Sequence, residues 1–175
     1  MDKFEVIDQS ERATFLKYKS GNLVFDLPED IRELVETKLE FDMDMLNIDA
    51  EPTVLDLVRH LSVQAANESY LSTQAAYIRN QLEVMKQVYE TWWHKTSHRH
   101  MGELMELHKS KYSGKIMDAY MYATYSKDIL KFQSILTKLD TKYRDVCGIR
   151  DAYINKGKYL QTLRNLIEPN PIKGD

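Results

Sequence analysis

Most of the residues that could do chemistry lie between Tyr89 and Lys115. Four of the five histidines, His94, His98, His100 and His108, fall in this stretch. His94 and His98 are four apart, the spacing at which two metal ligands share one helix face. A third ligand would have to come from His108, Glu103 or elsewhere in space. The His-Glu-x-x-His of a metalloprotease helix is missing, and the interleaved Lys95 and Arg99 repel a dication. The chain has no glycine-rich phosphate loop and no Gly-x-Ser-x-Gly, and its single cysteine, Cys147, has no nearby partner base. The expectation is a protein that is not an enzyme and holds no metal and no cofactor.

The same stretch reads more readily as a polyanion site. Lys95, Arg99, Lys109, Lys111 and Lys115 stand against Glu103 and Glu106, with Trp92, Trp93 and Tyr112 close by. Cations take phosphates and release counterions. Aromatic faces stack unpaired bases with little sequence preference, at about 1–3 kcal/mol per base. Trp92 falls on an apolar helical seam and is expected in the core, whereas Trp93 lies off that seam and is more available. The competing reading is that both tryptophans are core and the lysines merely solvated. The candidate DNA-binding residues are Lys95, Arg99, Lys109, Lys111, Tyr112, Lys115 and Trp93.

Two long helices must position these residues. After Pro52 no proline or glycine occurs until Gly102. Ala75, Ile78, Leu82, Met85, Tyr89 and Trp92 step by threes and fours, the seam of a helix packed along a partner. Thr53 is the expected N-cap. A kink is expected around Ala65–Ser69, and Gly102 with the polar residues before it is expected to interrupt the helix. Asp118–Tyr125, rich in Tyr and Met, reads as a short helix or an irregular link. From Ser126 a second seam runs through Ile129, Phe132, Leu136, Leu139, Tyr143 and Val146. It continues less cleanly to Glu168, with Arg150, Gly157 and Arg164 near seam positions, and Pro169 and Pro171 stop it. Those imperfect turns are expected to meet something other than the first helix, such as another subunit.

The predicted fold is therefore all-α: a long antiparallel helical pair, about 53–113 and 126–168, behind a small acidic N-terminal region. In that region a β-hairpin is expected around Lys19-Ser20-Gly21-Asn22. A helix should start near Pro28, with Ile31, Leu34, Val35, Leu39 and Met43 on its apolar face. Asp42, Asp44 and Asp49 read as a solvated acidic face, since the spacing of a calcium loop is absent. By composition the chain divides into an acidic region (1–50), a basic helical DNA-binding and oligomerisation domain (51–168) and a tail (169–175).

Charge sharpens that division. Residues 1–58 carry 15 acidic and 6 basic side chains, a net of −9, and residues 59–175 carry 12 and 18, a net of +6. The basic part could face a polyanion, or the two parts could attract one another. The lone cysteine fits a reducing compartment, and neither a signal peptide nor an 18-residue apolar run is present. The expected location is cytoplasmic, with no membrane partner.

Four short stretches, in order, resemble the UvsY-type recombination mediators of tailed phages. Tyr89-Glu90-Thr91-Trp92-Trp93-His94-Lys95-Thr96-Ser97 is similar to that family's Tyr-x-x-Trp-x-x-Lys-x-Ser. Lys109-Ser110-Lys111-Tyr112-Ser113-Gly114 resembles its Lys-x-Arg pair followed by Tyr-Ser-Gly, with two intervening residues missing here. Lys127-Asp128-Ile129-Leu130-Lys131 looks like its Lys-Asp-Val-Leu-Lys. Cys147-Gly148, Asp151-Ala152 and Lys156-Gly157 resemble its last helix, where Arg-Gly takes the final pair. The likeness covers about residues 85–165, and the acidic first 50 residues have no counterpart in it. It implies a non-enzymatic protein that binds single-stranded DNA as a ring-like homo-oligomer. Such a protein displaces single-strand-binding protein and loads a RecA-like recombinase in phage DNA recombination, repair and replication, inside a bacterial host cell. On this resemblance the DNA-contacting basic pair falls on Lys109 and Lys111, and the oligomer-forming helix on about 147–167. The alternative is a helical assembly or scaffold protein whose basic half pairs with its acidic N-terminal half or with another subunit.

Overall fold

A computed structural model describes residues 16–19, 22–25, 27, 29–36 and 53–167. The expectations for Leu39, Met43, the acidic cluster Asp42, Asp44 and Asp49, and the tail after Ile167 lie outside the described residues. Two long helices dominate, α2 (Val54–His108) and α3 (Gly114–Ile167), packed against each other as an all-α helical pair. Ahead of them come strands β1 (Leu16–Lys19) and β2 (Asn22–Phe25) and the short helix α1 (Glu29–Glu36). The strands pair antiparallel with Leu16 opposite Phe25 and Lys19 opposite Asn22, the hairpin that the sequence predicts.

Thr53 caps α2 as expected. Its hydroxyl accepts the Asp56 N–H at 3.2 Å, and the Asp56 carboxylate accepts the Thr53 N–H at 3.0 Å. This reciprocal pair satisfies donors that a helix start leaves orphaned. Both seams follow a seven-residue repeat. Leu57, Gln64, Leu71, Ile78, Met85 and Trp92 are buried along α2; Phe132, Leu139, Val146, Tyr153 and Leu160 are buried along α3. Each fully buried large apolar side chain contributes about 1.5–3 kcal/mol relative to exposure, enough together to hold helices that would fray alone.

The boundaries between the helices differ from the sequence reading. α2 runs unbroken through Ala65–Ser69 and through Gly102, and it ends at His108 rather than near residue 113. A lone glycine costs a helix about 1 kcal/mol against alanine, which the burial of Leu104 just beyond it offsets. α3 starts at Gly114, twelve residues before Ser126, so of the two readings of Asp118–Tyr125 the helix holds, as part of α3 rather than as a short separate one. Met117, Met121 and Ile129 are all buried at four- and eight-residue steps, and this apolar stripe keeps the segment helical. The expected break survives as a kink at Tyr125 (φ −116°, ψ 22°), one residue before Ser126.

The described residues divide into two compact units. Unit 1 holds β1, β2, α1 and residues 80–140; unit 2 holds residues 53–79 and 141–167. In unit 1, Ile31 of α1 is fully buried in a core with Leu82, Met85, Val88, Trp92, Met121 and Phe132, and Leu34 and Val35 pack at its edge. The acidic α1 thus shares a core with the basic turn region. In unit 2 the seam admits polar residues. Gln64 is buried, its amide donates to Glu68 at 3.1 Å, and its side chain fills the space beside Gly157. The irregularity at Gly157 therefore meets α2 of the same chain, because a residue without Cβ leaves room for a long polar one.

Candidate nucleic-acid interface

The chain reverses between α2 and α3 within residues 109–113. Lys109 sits in the left-handed region (φ 46°), the position after a helix end that glycine usually fills. A 3-10 turn, Lys109–Lys111, follows, closed by the Tyr112 N–H donating to the Lys109 carbonyl at 3.2 Å. The Ser113 carbonyl then accepts the Ile116 N–H at 3.0 Å and opens α3. Tyr112 is half-buried against the unit 1 core, between the buried Leu104 and Met117 in sequence, and anchors the turn. None of the three turn residues is buried, so both lysines project to solvent.

Lys109, Lys111 and Lys115 are thus brought together at the turn, all exposed. Lys95 and Arg99 are also exposed, on one face of α2. They stand roughly 15–20 Å back from the turn along the helix, at about 1.5 Å per residue. Among the described residues none of these five cations has a carboxylate partner. Glu103 and Glu106 are exposed on the same stretch, and Glu103 lies 3.7 Å from His100 Nδ1.

The histidines do not gather. His100 is half-buried between two tyrosines, its Nε2 2.7 Å from the Tyr125 hydroxyl and its Nδ1 3.3 Å from that of Tyr120. This pairing ties the kink in α3 to α2. His94 and His98 are exposed, and His108 is the last residue of α2. Among the described residues no group of three His, Cys, Asp or Glu side chains could hold a metal ion.

Trp92 is core, as its seam position predicts, with its ring 5.1 Å from that of Phe132 and 5.9 Å from that of Tyr125. Trp93 is half-buried. Its ring lies 6.0 Å from Tyr89 and 5.7 Å from Tyr122, and with Glu90, His94 and Asp118 these residues line an open cavity of about 340 Å³. Burial, and then the neighbouring Tyr122, hold the Tyr89 phenol above its ordinary pKa. Sequence reasoning missed Asp118 and Tyr122 as site residues. Their four-residue spacing places them on one helix face, but the sequence leaves the segment open between a short helix and an irregular link, and nothing in it shows that the segment faces Trp93. No helix among the described residues is long and apolar enough to cross a membrane. No protein-family model, no curated protein and no solved structure matches the chain.

Proposed function

We propose that this protein is a non-enzymatic recombination mediator that binds single-stranded DNA as a homo-oligomer. It helps a RecA-like recombinase load onto DNA covered by single-strand-binding protein, in the cytoplasm of a bacterial host cell. The observation that carries the reading is the set of five exposed, unpaired cations at and behind one tight turn: Lys95, Arg99, Lys109, Lys111 and Lys115. Exposed ammonium groups without carboxylate partners are free to take phosphates, and a positively charged track is what a sequence-tolerant single-strand binder needs. The resemblance to UvsY-type mediators names the same pair, Lys109 and Lys111. Lys109 adds a physical argument, because a left-handed lysine costs about 1–2 kcal/mol that glycine would avoid.

Self-association is supported by apolar side chains left uncovered in unit 2. Val63, Tyr70 and Tyr77 repeat every seven residues on α2 with 41, 59 and 38 % exposure, and Tyr159 and Leu166 do so on α3. Repetition of weak DNA sites around an oligomer multiplies their affinity.

Titration of a single-stranded oligonucleotide across salt tests the reading. Binding should weaken steeply with salt, and Lys109→Ala with Lys111→Ala should flatten the log–log slope by about 1.4, at about 0.7 per lost phosphate contact. Lys109→Gly separates charge from backbone: it should weaken binding while raising stability by about 1 kcal/mol. Absence of binding at low salt overturns the proposal. The scaffold alternative draws on α1, whose acidic surface shares a core with the turn. It predicts that Glu33→Gln with Glu36→Gln, both exposed, disrupts assembly while DNA binding is absent.

A further inference from the structure

The cavity around Trp93 has the wrong charge for DNA. Glu90 and Asp118 line it, both exposed, and among the described residues neither has an ion-pair or hydrogen-bond partner. Two carboxylates repel a phosphate. Its other walls are aromatic: Tyr89 and Trp93 lie 6.0 Å apart with their planes at 58°, and Tyr122 closes on Trp93 edge-on at 5.7 Å. Ring faces carry the negative end of the aromatic quadrupole and attract a cation. Rings and carboxylates therefore favour the same kind of guest, and the cluster is built from two helices, with Tyr89, Glu90, Trp93 and His94 on α2 and Asp118 and Tyr122 on α3.

The geometry points to a docking site for an arginine side chain presented by another protein. A volume of about 340 Å³ lies at the small end of ligand pockets and has room for an arginine side chain. A guanidinium is planar, stacks on a ring and gives two parallel hydrogen bonds to a carboxylate, which an ammonium cannot do. Carboxylates on both helices let the fork pair on one side while its face lies on Trp93 or Tyr122. The site draws on none of the five cations of the DNA reading, although Lys115 stands one helical turn before Asp118 on α3 and Lys95 follows His94 on α2. A carboxylate-and-ring site for a cationic protein partner thus lies beside the basic surface.

The test uses the full chain and short peptides, acetylated and amidated, with one central arginine, citrulline or lysine. Tryptophan fluorescence and calorimetry follow binding. The arginine peptide should bind at least about tenfold more tightly than its uncharged citrulline counterpart, since the charge carries the cation–π and carboxylate contacts. Glu90→Gln with Asp118→Asn should abolish that difference, with the melting curve and the oligonucleotide affinity unreduced. Tyr122→Ala, at an exposed position, should also weaken the arginine peptide. Equal binding of the arginine and citrulline peptides, no binding of either, or retention of the preference in the carboxamide variant overturns the site. Tighter binding of the lysine peptide or of tetramethylammonium overturns the guanidinium assignment.

Discussion

Units 1 and 2 are built on the same two helices yet fill the seam differently. In unit 1 the core is aromatic and methionine-rich: Trp92, Phe132, Met85, Met117 and Met121, with Tyr89 and Tyr125 at its edge. A third element, α1, caps it through Ile31. In unit 2 the seam is mostly aliphatic, with Tyr153 among its buried residues, and is interrupted by Gln64 and Gly157. There Lys142 Nζ is buried without a hydrogen-bond partner among the described residues, and burial holds the ammonium groups of Lys142 and Lys156 below their ordinary pKa. Large rings enclose side pockets and hold a turn in place. A thin aliphatic seam with a polar layer gives less cohesion but disfavours register slips, because Gln64 fits only opposite a residue without Cβ.

The largest expected effect breaks the stronger side of this comparison. Phe132→Ala should cost about 3–5 kcal/mol in denaturant unfolding, since a fully buried ring is lost from a packed core. A loss below 1 kcal/mol would show that the aromatic cluster is not what holds unit 1. The same substitution should loosen the Trp93 cavity, because Tyr89 rests on Phe132 with ring centres 5.0 Å apart.

Lys142→Met probes the weaker side. Removing a buried, unpaired ammonium should stabilise the protein by about 1 kcal/mol, or roughly 2–4 °C in Tm. The sign with pH follows from the depressed pKa. The folded state resists protonation at Lys142, so its burden is full at pH values below the folded pKa. The burden is relieved as pH rises through that value towards the ordinary 10.5. The advantage of the Met variant over the parent should therefore shrink as pH rises towards 10.5 in thermal melts across pH. An advantage that is constant with pH would contradict this account.

The smallest effects come from two glycines. A Cβ at Gly102 meets open space, and Gly102→Ala should gain about 1 kcal/mol from helix propensity alone. At Gly157 an added Cβ would lie 2.6 Å from the Gln64 amide, which must then leave its place. Gly157→Ala should gain less than Gly102→Ala or lose stability, and pairing it with Gln64→Ala should restore the gain. Equal gains at both sites would remove the argument for a polar register layer.

Much of the scaffold was legible in the chain. The seams from Ala75 to Trp92 and from Ile129 to Val146, the Thr53 cap, the presence of a hairpin and the core position of Trp92 all follow from periodicity and local hydrogen-bonding chemistry. The turn was misplaced because Gly102 and the tyrosines of 118–125 look like punctuation when neighbours are ignored. Local propensity differs by only about 1 kcal/mol per residue, and burial of Leu104, Met117 and Met121 outweighs it. The five cations of the candidate interface were identified by type, but their lack of partners is a property of packing.

By itself the sequence determined two amphipathic helices, an acidic N-terminal segment and a basic, aromatic-rich stretch between them, since each depends on residues within a few positions of one another. Only the tertiary structure decided where the chain turns, that α1 joins the core of the turn unit, and that Gly157 faces Gln64. It also decided that Trp93 meets Asp118 and Tyr122 across the helix pair. These are contacts between residues far apart along the chain, selected by which side chains fill the same space.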